Sequence, residues 1–117
     1  NICPNCKEAF SANREVLLRL GLPLPDEAGA STGGELTLFR GKGCDKCKGS
    51  GYKGRTGVHE LMVLTDELRD LILQREASHK IRHLAIAQGM RTLQHDAVAK
   101  ILMGVTSVDE VIRVIYA

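Results

Sequence analysis

Two Cys-x-x-Cys pairs, Cys3-Pro-Asn-Cys6 and Cys44-Asp-Lys-Cys47, constrain this chain more than any other feature. A Cys-x-x-Cys turn places two thiolates on one edge of a tight loop and leaves backbone N–H groups free to donate to the sulfurs. Two such turns brought face to face complete a closed tetrahedron for zinc, with Zn–S bonds of about 2.3 Å. The matched spacings therefore predict one zinc held by Cys3, Cys6, Cys44 and Cys47. The competing reading, four reduced thiols filling small gaps in a core, gives no reason for two equal spacings. A thioredoxin-type redox pair needs a βαβ setting, and neither pair has one. A site with four protein ligands has no open coordination position, so its role is structural.

All four cysteines lie in the first 47 of the 117 residues, and the spacer between the pairs is 37 residues. That is longer than the roughly 15–20 residues of compact zinc ribbons, so the spacer must hold structure of its own. Within it, residues 11–20 (SANREVLLRL) are expected to form a helix with Val16, Leu17 and Leu20 on one face and Gly21 as its stop. Residues 21–35 carry two of the three prolines and four glycines and read as loop. Residues 36–40 (LTLFR) alternate like a strand leading into the second pair, and residues 57–64 (GVHELMVL) read as a second strand. Between them Gly43, Gly49, Gly51 and Gly54 free the backbone for tight turns around the metal.

From Thr65 onward the texture is helical and free of proline, with four short helices expected. Thr65 caps the first, with Leu68, Leu71 and Ile72 inward. Ser78 caps the second, with Ile81, Leu84 and Ala85 inward and Gly89 closing it. Thr92 caps the third, which carries Leu93, Ala97, Ile101 and Leu102 and stops at Gly104. Ser107 and Glu110 make the capping box of the fourth, which carries Val111, Ile112, Val114 and Ile115. The expected fold is α+β and mainly α: a small four-cysteine zinc-knuckle lobe with a short strand pair over residues 1–64, then a bundle of about four short helices over 65–117.

Other motifs lead nowhere. Gly49, Gly51 and Gly54 satisfy G-x-G-x-x-G, but a cysteine turn precedes them and a strand is expected to follow, where a dinucleotide site needs strand then helix. No G-x-x-x-x-G-K-[ST] sequence is present, so the chain has no phosphate-binding loop of that kind. His59-Glu60 begins like a zinc-protease motif, but Val63 stands where the second histidine belongs. His79 and His83, spaced i, i+4, read first as two solvated helix positions. Arg55 and Glu60 flank the expected strand and are assigned no more than a structural ion pair or a partner contact. No catalytic and no cofactor-binding residues are assigned.

Composition closes off further classes. The net charge is +2, with +3 in residues 1–57 (nine Lys/Arg, six Asp/Glu) and −1 in residues 58–117 (seven against eight). With two Tyr, two Phe and no Trp there are few rings on which bases can stack. An independent zinc-ribbon module for nucleic acid or protein is the alternative reading; its nucleic-acid form is disfavoured by that charge and composition. No apolar run approaches the roughly 18 residues of a membrane span, so the chain is expected to be soluble and cytosolic.

The segments CPNCKEAF, LFRGKGCDKCKGSGYKGRTGVHEL and GMRTLQHDAVAKILMGVTSVDEVIRV, in this order and spacing, resemble the C-terminal portion of the hexameric motor ATPases of type II secretion and type IV pilus assembly. The resemblance covers essentially the whole chain. CDKCKGSG also matches the repeated zinc element of heat-shock co-chaperones, but it occurs once here and CPNCKEAF lacks its glycines. The motor resemblance implies that Cys3, Cys6, Cys44 and Cys47 are zinc ligands and that the helices after Thr65 close the motor subunit. It also implies that ATP and Mg²⁺ bind only in a nucleotide-binding core upstream of the cysteines. The chain is then an excised piece, not itself an enzyme, of a cytoplasmic ATP hydrolase peripheral to the inner membrane. Its implied partners are neighbouring subunits of a homo-hexamer and an inner-membrane platform protein, with no nucleic acid. Secretion and pilus assembly are not distinguished by these residues, nor is the cargo.

Overall fold

The structure, a computed structural model, describes residues 1–25 and 34–116. Strand β1 (Lys7–Asn13) leaves the first cysteine pair and runs directly into helix α1 (Arg14–Arg19). Strand β2 (Glu35–Gly41) returns antiparallel to β1, in a register that runs from Lys7 opposite Gly41 to Asn13 opposite Glu35. Four helices follow: α2 (Asp66–Leu73), α3 (Ser78–Ala87), α4 (Leu93–Leu102) and α5 (Val108–Ile115). The expected architecture, a cysteine lobe with a strand pair and then four short helices, is the one observed.

The strand pair is not the expected one. The partner of β2 is β1, while residues 57–64 form no strand and make no ladder pairing among the described residues. The helix expected over 11–20 starts only at Arg14, because residues 11–13 belong to β1 and the Asn13 side chain accepts from Glu15 N–H at 2.8 Å to cap α1. Strand β1 has no β-branched residue, and its pattern is carried by Phe10 and Ala12 alone, which turn half-buried toward the core. Opposite partners across the ribbon reinforce the register: Arg40 pairs with Glu8 at 2.9 Å and lies over the Phe10 ring. Of the loop expected over 21–35, residues 26–33 lie outside the described residues.

The helix caps follow the local chemistry with two corrections. Thr65, Thr92 and Ser107 accept the N–H groups of Leu68, His95 and Glu110 as expected. Ser78 does not cap α3; the helix begins one residue earlier than a serine cap requires, with Ala77 at the cap position and no side chain accepting there. The box at α5 is half made, because the Glu110 carboxylate turns to Arg113 instead of back to Ser107. Leu68, Ala85, Ala97, Ile101 and Val111 are buried as their spacing predicts, whereas Ile72, Leu93 and Val114 face solvent.

One buried cluster joins Leu17, Leu22, Leu36 and Leu38 to Ala97, Val98 and Ile101 of α4 and Val111 of α5. It draws on both sides of residue 64. Neither α2 nor α3 contributes to it; their buried side chains are Leu68 and Ala85, which belong to a separate helical hairpin. The radius of gyration is 17.2 Å, against the roughly 13 Å expected for a compact domain of this length, and the molecule measures 54 × 34 × 20 Å. The molecule is therefore a body (the ribbon, α1, α4 and α5) with an α2–α3 arm.

Candidate metal centre

The ribbon explains how cysteines 38 or more residues apart meet. Because Lys7 lies opposite Gly41, the turn before β1 and the turn after β2 emerge side by side at one end of the sheet. Main-chain bonds lock the junction: Lys42 N–H donates to Cys6 O at 3.1 Å, and Cys3 N–H to Gly51 O at 2.9 Å. The second turn is a 3₁₀ segment, Asp45–Cys47, closed by Lys48 in the left-handed region at φ 57°. The first pair is also sewn to the back of the body, since Ile2 N–H donates to Val105 O at 2.9 Å between α4 and α5.

The four Sγ atoms all lie within 4.8 Å of one another. Cys3 to Cys44 and Cys6 to Cys47 are both 3.8 Å, and Cys44 to Cys47 is 3.6 Å. A regular tetrahedron with bonds of about 2.3 Å to its centre has edges of about 3.8 Å, so the set fits a tetrahedral thiolate-bound ion such as zinc. Among the described residues this is the one group of three or more metal-type side chains close enough to share an ion.

Backbone donors are already aimed at the sulfurs. Gly43 N–H points at Cys6 Sγ at 3.3 Å, while Cys44 N–H at 3.3 Å and Gly51 N–H at 3.1 Å both point at Cys47 Sγ. Burial opposes ionisation of Cys47, yet the Gly51 and Cys44 N–H groups, with the Cys44 and Cys6 thiols, bring it down to about 6. The Asn5 side chain lowers Cys44. Burial pushes Cys6 up to about 11, against the pull of the Gly43 N–H, and the crowded neighbouring thiols add to the rise. These contacts favour the thiolate form of Cys47 and of Cys44, and a divalent cation would supply the charge that lets all four ionise together.

Glycine is required where the turns interlock. Gly51 has φ +84°, and a Cβ there would stand 2.5 Å from Gly41 O; a Cβ at Gly41 would stand 1.9 Å from Gly51 O. Gly43, Gly49 and Gly54 also take the positive φ that their expected role as turn residues needs. Gly41 escaped sequence reasoning, because nothing local to it marks the close approach.

The remaining singled-out residues disperse. His79 and His83 are exposed on α3 and join no other ligand. Glu60 pairs with Arg82 of α3 at 3.3 Å and not with Arg55, which is exposed. His59 contributes its backbone: its N–H donates to Asp96 Oδ2 at 2.8 Å, the same oxygen that takes Lys100 Nζ at 2.9 Å. Lys100, first, and then the His59 N–H hold the Asp96 carboxyl below the usual carboxylate range. Neither this anchor nor the Tyr52–Ser107 hydroxyl pair at 2.5 Å is visible in the sequence, since each joins positions tens of residues apart. Among the described residues no helix is long and apolar enough to cross a membrane.

Comparison with known proteins adds the lineage. Residues 1–113 match the family model described as "Type II/IV secretion system protein". The chain is 39% identical to the type IV pilus assembly ATPase PilB of Thermus thermophilus over 95% of its own length and 12% of the relative's. It is 34% identical to the type II secretion system ATPase E of Vibrio cholerae, over 97% of the chain and 21% of the relative. With type II secretion system protein E of Pseudomonas aeruginosa the identity is 37%, again over 97% and 21%. The chain thus spans between about an eighth and a fifth of the length of the curated relatives it matches.

Proposed function

Because the chain belongs to the type II/IV secretion system protein family, we propose that it is the C-terminal structural and interaction module of a secretion or pilus-assembly motor ATPase. The observation that carries this reading is the match over residues 1–113 to a family whose relatives include named ATPases, in a chain that has no G-K-[ST] phosphate-binding sequence of its own. ATP and Mg²⁺ then bind elsewhere in the motor subunit, which is an ATP hydrolase, and these 117 residues contribute no catalytic side chain.

In this reading Cys3, Cys6, Cys44 and Cys47 hold one zinc. The thiolate spacing and the inward N–H groups support it, and the ion's contribution is to fold free energy and not to chemistry. The division into a metal-organised lobe, 1–64, and a helical unit, 65–117, is proposed as a division of labour: the first fixes shape, the second offers helix faces to neighbours. Those neighbours are the adjacent subunits of a homo-hexamer and a platform protein at the inner membrane, with the motor held peripherally on the cytoplasmic side. Powering the movement of pilin-like subunits is the whole machine's task, to which this module contributes seating.

Two measurements test the division. Nucleotide titration of the 117-residue chain is expected to give no saturable ATP binding. In the full-length protein, replacing Cys3 and Cys6 together by serine is expected to lower ATPase activity and subunit assembly. Micromolar ATP affinity for the chain alone, or undiminished assembly and turnover after both replacements, overturns the reading.

A further inference from the structure

Residues 57–64 have the pattern of a strand but pair with nothing. Exposure alternates along them: Leu61 is 76% and Val63 71% exposed, against 39% for Met62 and 46% for Leu64. Met62 turns toward the α2–α3 arm, where it lines one hollow with Leu68, Ala85 and Met90 and another with Ile81. Leu61 and Val63 also border the first hollow, yet most of their surface stays open, so the side they present is the less covered of the two. Among the described residues the main chain of 60–64 makes no hydrogen bond to any other group. The segment is nonetheless held in place, by His59 N–H on Asp96 at one end, Glu60 on Arg82, and the Thr65 cap of α2 at the other.

Soluble proteins blunt an open strand edge with lysine, proline, a bulge or an inward charge. Residues 61–64, Leu-Met-Val-Leu, carry no charge and no proline. Four consecutive large apolar residues with free amides and carbonyls suit β-augmentation, in which main-chain bonds give affinity and alternate side chains fill an apolar face. A strand with helices on one face also matches one half of a layered α/β arrangement, and the missing half is a sheet.

We propose that residues 58–64 add as a strand to an open sheet edge in the remainder of the same polypeptide, with Leu61 and Val63 buried against that sheet's apolar layer. This rests on the reading that the 117 residues are part of a longer motor subunit. The occupant is drawn from the same polypeptide because the matched relatives carry most of their length outside this region, which is 12% of one and 21% of another. The α2–α3 arm, loosely placed by the body, then becomes the helix layer over the new strand.

Hydrogen exchange with mass spectrometry decides it, run on the 117-residue chain and on the full-length polypeptide that contains it. Amides of 60–64 are expected to exchange almost freely in the chain alone and at least about 100-fold more slowly in the full-length protein. A full-length protein carrying Leu61→Asp and Val63→Asp is expected to lose that protection while keeping its metal. The wild-type comparison stands by itself if this variant does not fold. Free exchange of 60–64 in both wild-type proteins overturns the proposal. So does concentration-dependent protection in the 117-residue chain with a dimer in sedimentation, which makes a second copy the occupant. Absence of ATP hydrolysis by the full-length protein overturns the motor reading, and the exchange comparison is independent of it.

Discussion

The body and the α2–α3 arm are both built from short elements, yet they are held by different means. In the body, the ribbon and three helices share one buried cluster, while the cysteine turns are tied on by main-chain bonds, residue 2 to residue 105 and residue 3 to residue 51. In the arm, Leu68 and Ala85 are the residues fully buried among those of α2 and α3. The arm's polar bonds are exposed: Thr65 Oγ1 donates to Gln88 Oε1 at 2.8 Å between the two caps of the hairpin itself, and Arg82 reaches out of it to Glu60. Exposed pairs of this sort contribute about 0–1 kcal/mol each. The contrast teaches that the ribbon beside the cysteine turns shares its core with the two helices furthest from it in sequence and not with the nearer pair. An ion held by the four cysteines would then stabilise that whole body.

The largest expected effect follows from removing one sulfur. Cys44→Ser is expected to abolish metal binding and unfold the body, since a structural zinc site contributes on the order of 10 kcal/mol, comparable to the whole stability of a domain. Helicity should fall by the share of α4 and α5 as well as by disorder around the ribbon. Circular dichroism with metal analysis checks this. If α4 and α5 persist with native exchange protection, the two halves are independent units and the division at residue 64 is also a boundary of stability. Next in size is Gly51→Ala, which puts a Cβ against Gly41 O and forces alanine to a φ of +84°. A loss of about 3 kcal/mol or more is expected, read from denaturant unfolding, because the clashing atom is backbone and cannot swing away.

The arm gives the opposite signature. Leu68→Ala is expected to cost about 2–5 kcal/mol of local stability, seen as faster amide exchange confined to α2 and α3, with metal content unchanged. Ile101→Ala, of similar chemistry but in the shared cluster, should loosen the ribbon and the metal centre together. Equal effects of the two on metal retention would erase the distinction between body and arm.

The smallest effect concerns the anchor between them. Asp96 has a folded pKa below its unfolded value, so the unfolded chain takes up more protons in acid and stability falls as pH falls. The contribution is complete above the unfolded value of about 4 and is lost as pH drops from there through the depressed folded value. Asp96→Asn is therefore expected to lower stability at pH 7 by about 1 kcal/mol or less and to flatten this part of the acid limb. An unchanged difference between wild type and variant from pH 7 down to pH 3 would remove Asp96 from the account.

What could be read in the chain follows the range over which each signal acts. The cysteine pairs and the caps at Thr65, Thr92 and Ser107 are local chemistry, and all were legible. Ser78 was misplaced because a serine inside the first turn looks the same in sequence as one at the cap. Strand β1 was partly hidden because Lys7–Asn13 has small and polar residues where a strand usually shows β-branched ones, and its identity comes from Leu36 and Leu38 across the ribbon. Residues 57–64 had a legible strand pattern, but pattern alone does not supply a partner. The Asp96 anchor, the Tyr52–Ser107 pair and the Gly41–Gly51 approach arise only when the fold brings distant positions together.

The account's central claim is that one ion, held by Cys3, Cys6, Cys44 and Cys47, organises the body. Elemental analysis of the reduced 117-residue chain, purified without added metal, tests it most directly. One zinc per chain is the predicted result. A metal content near zero in a sample whose ribbon, α4 and α5 amides are all protected from exchange would contradict it.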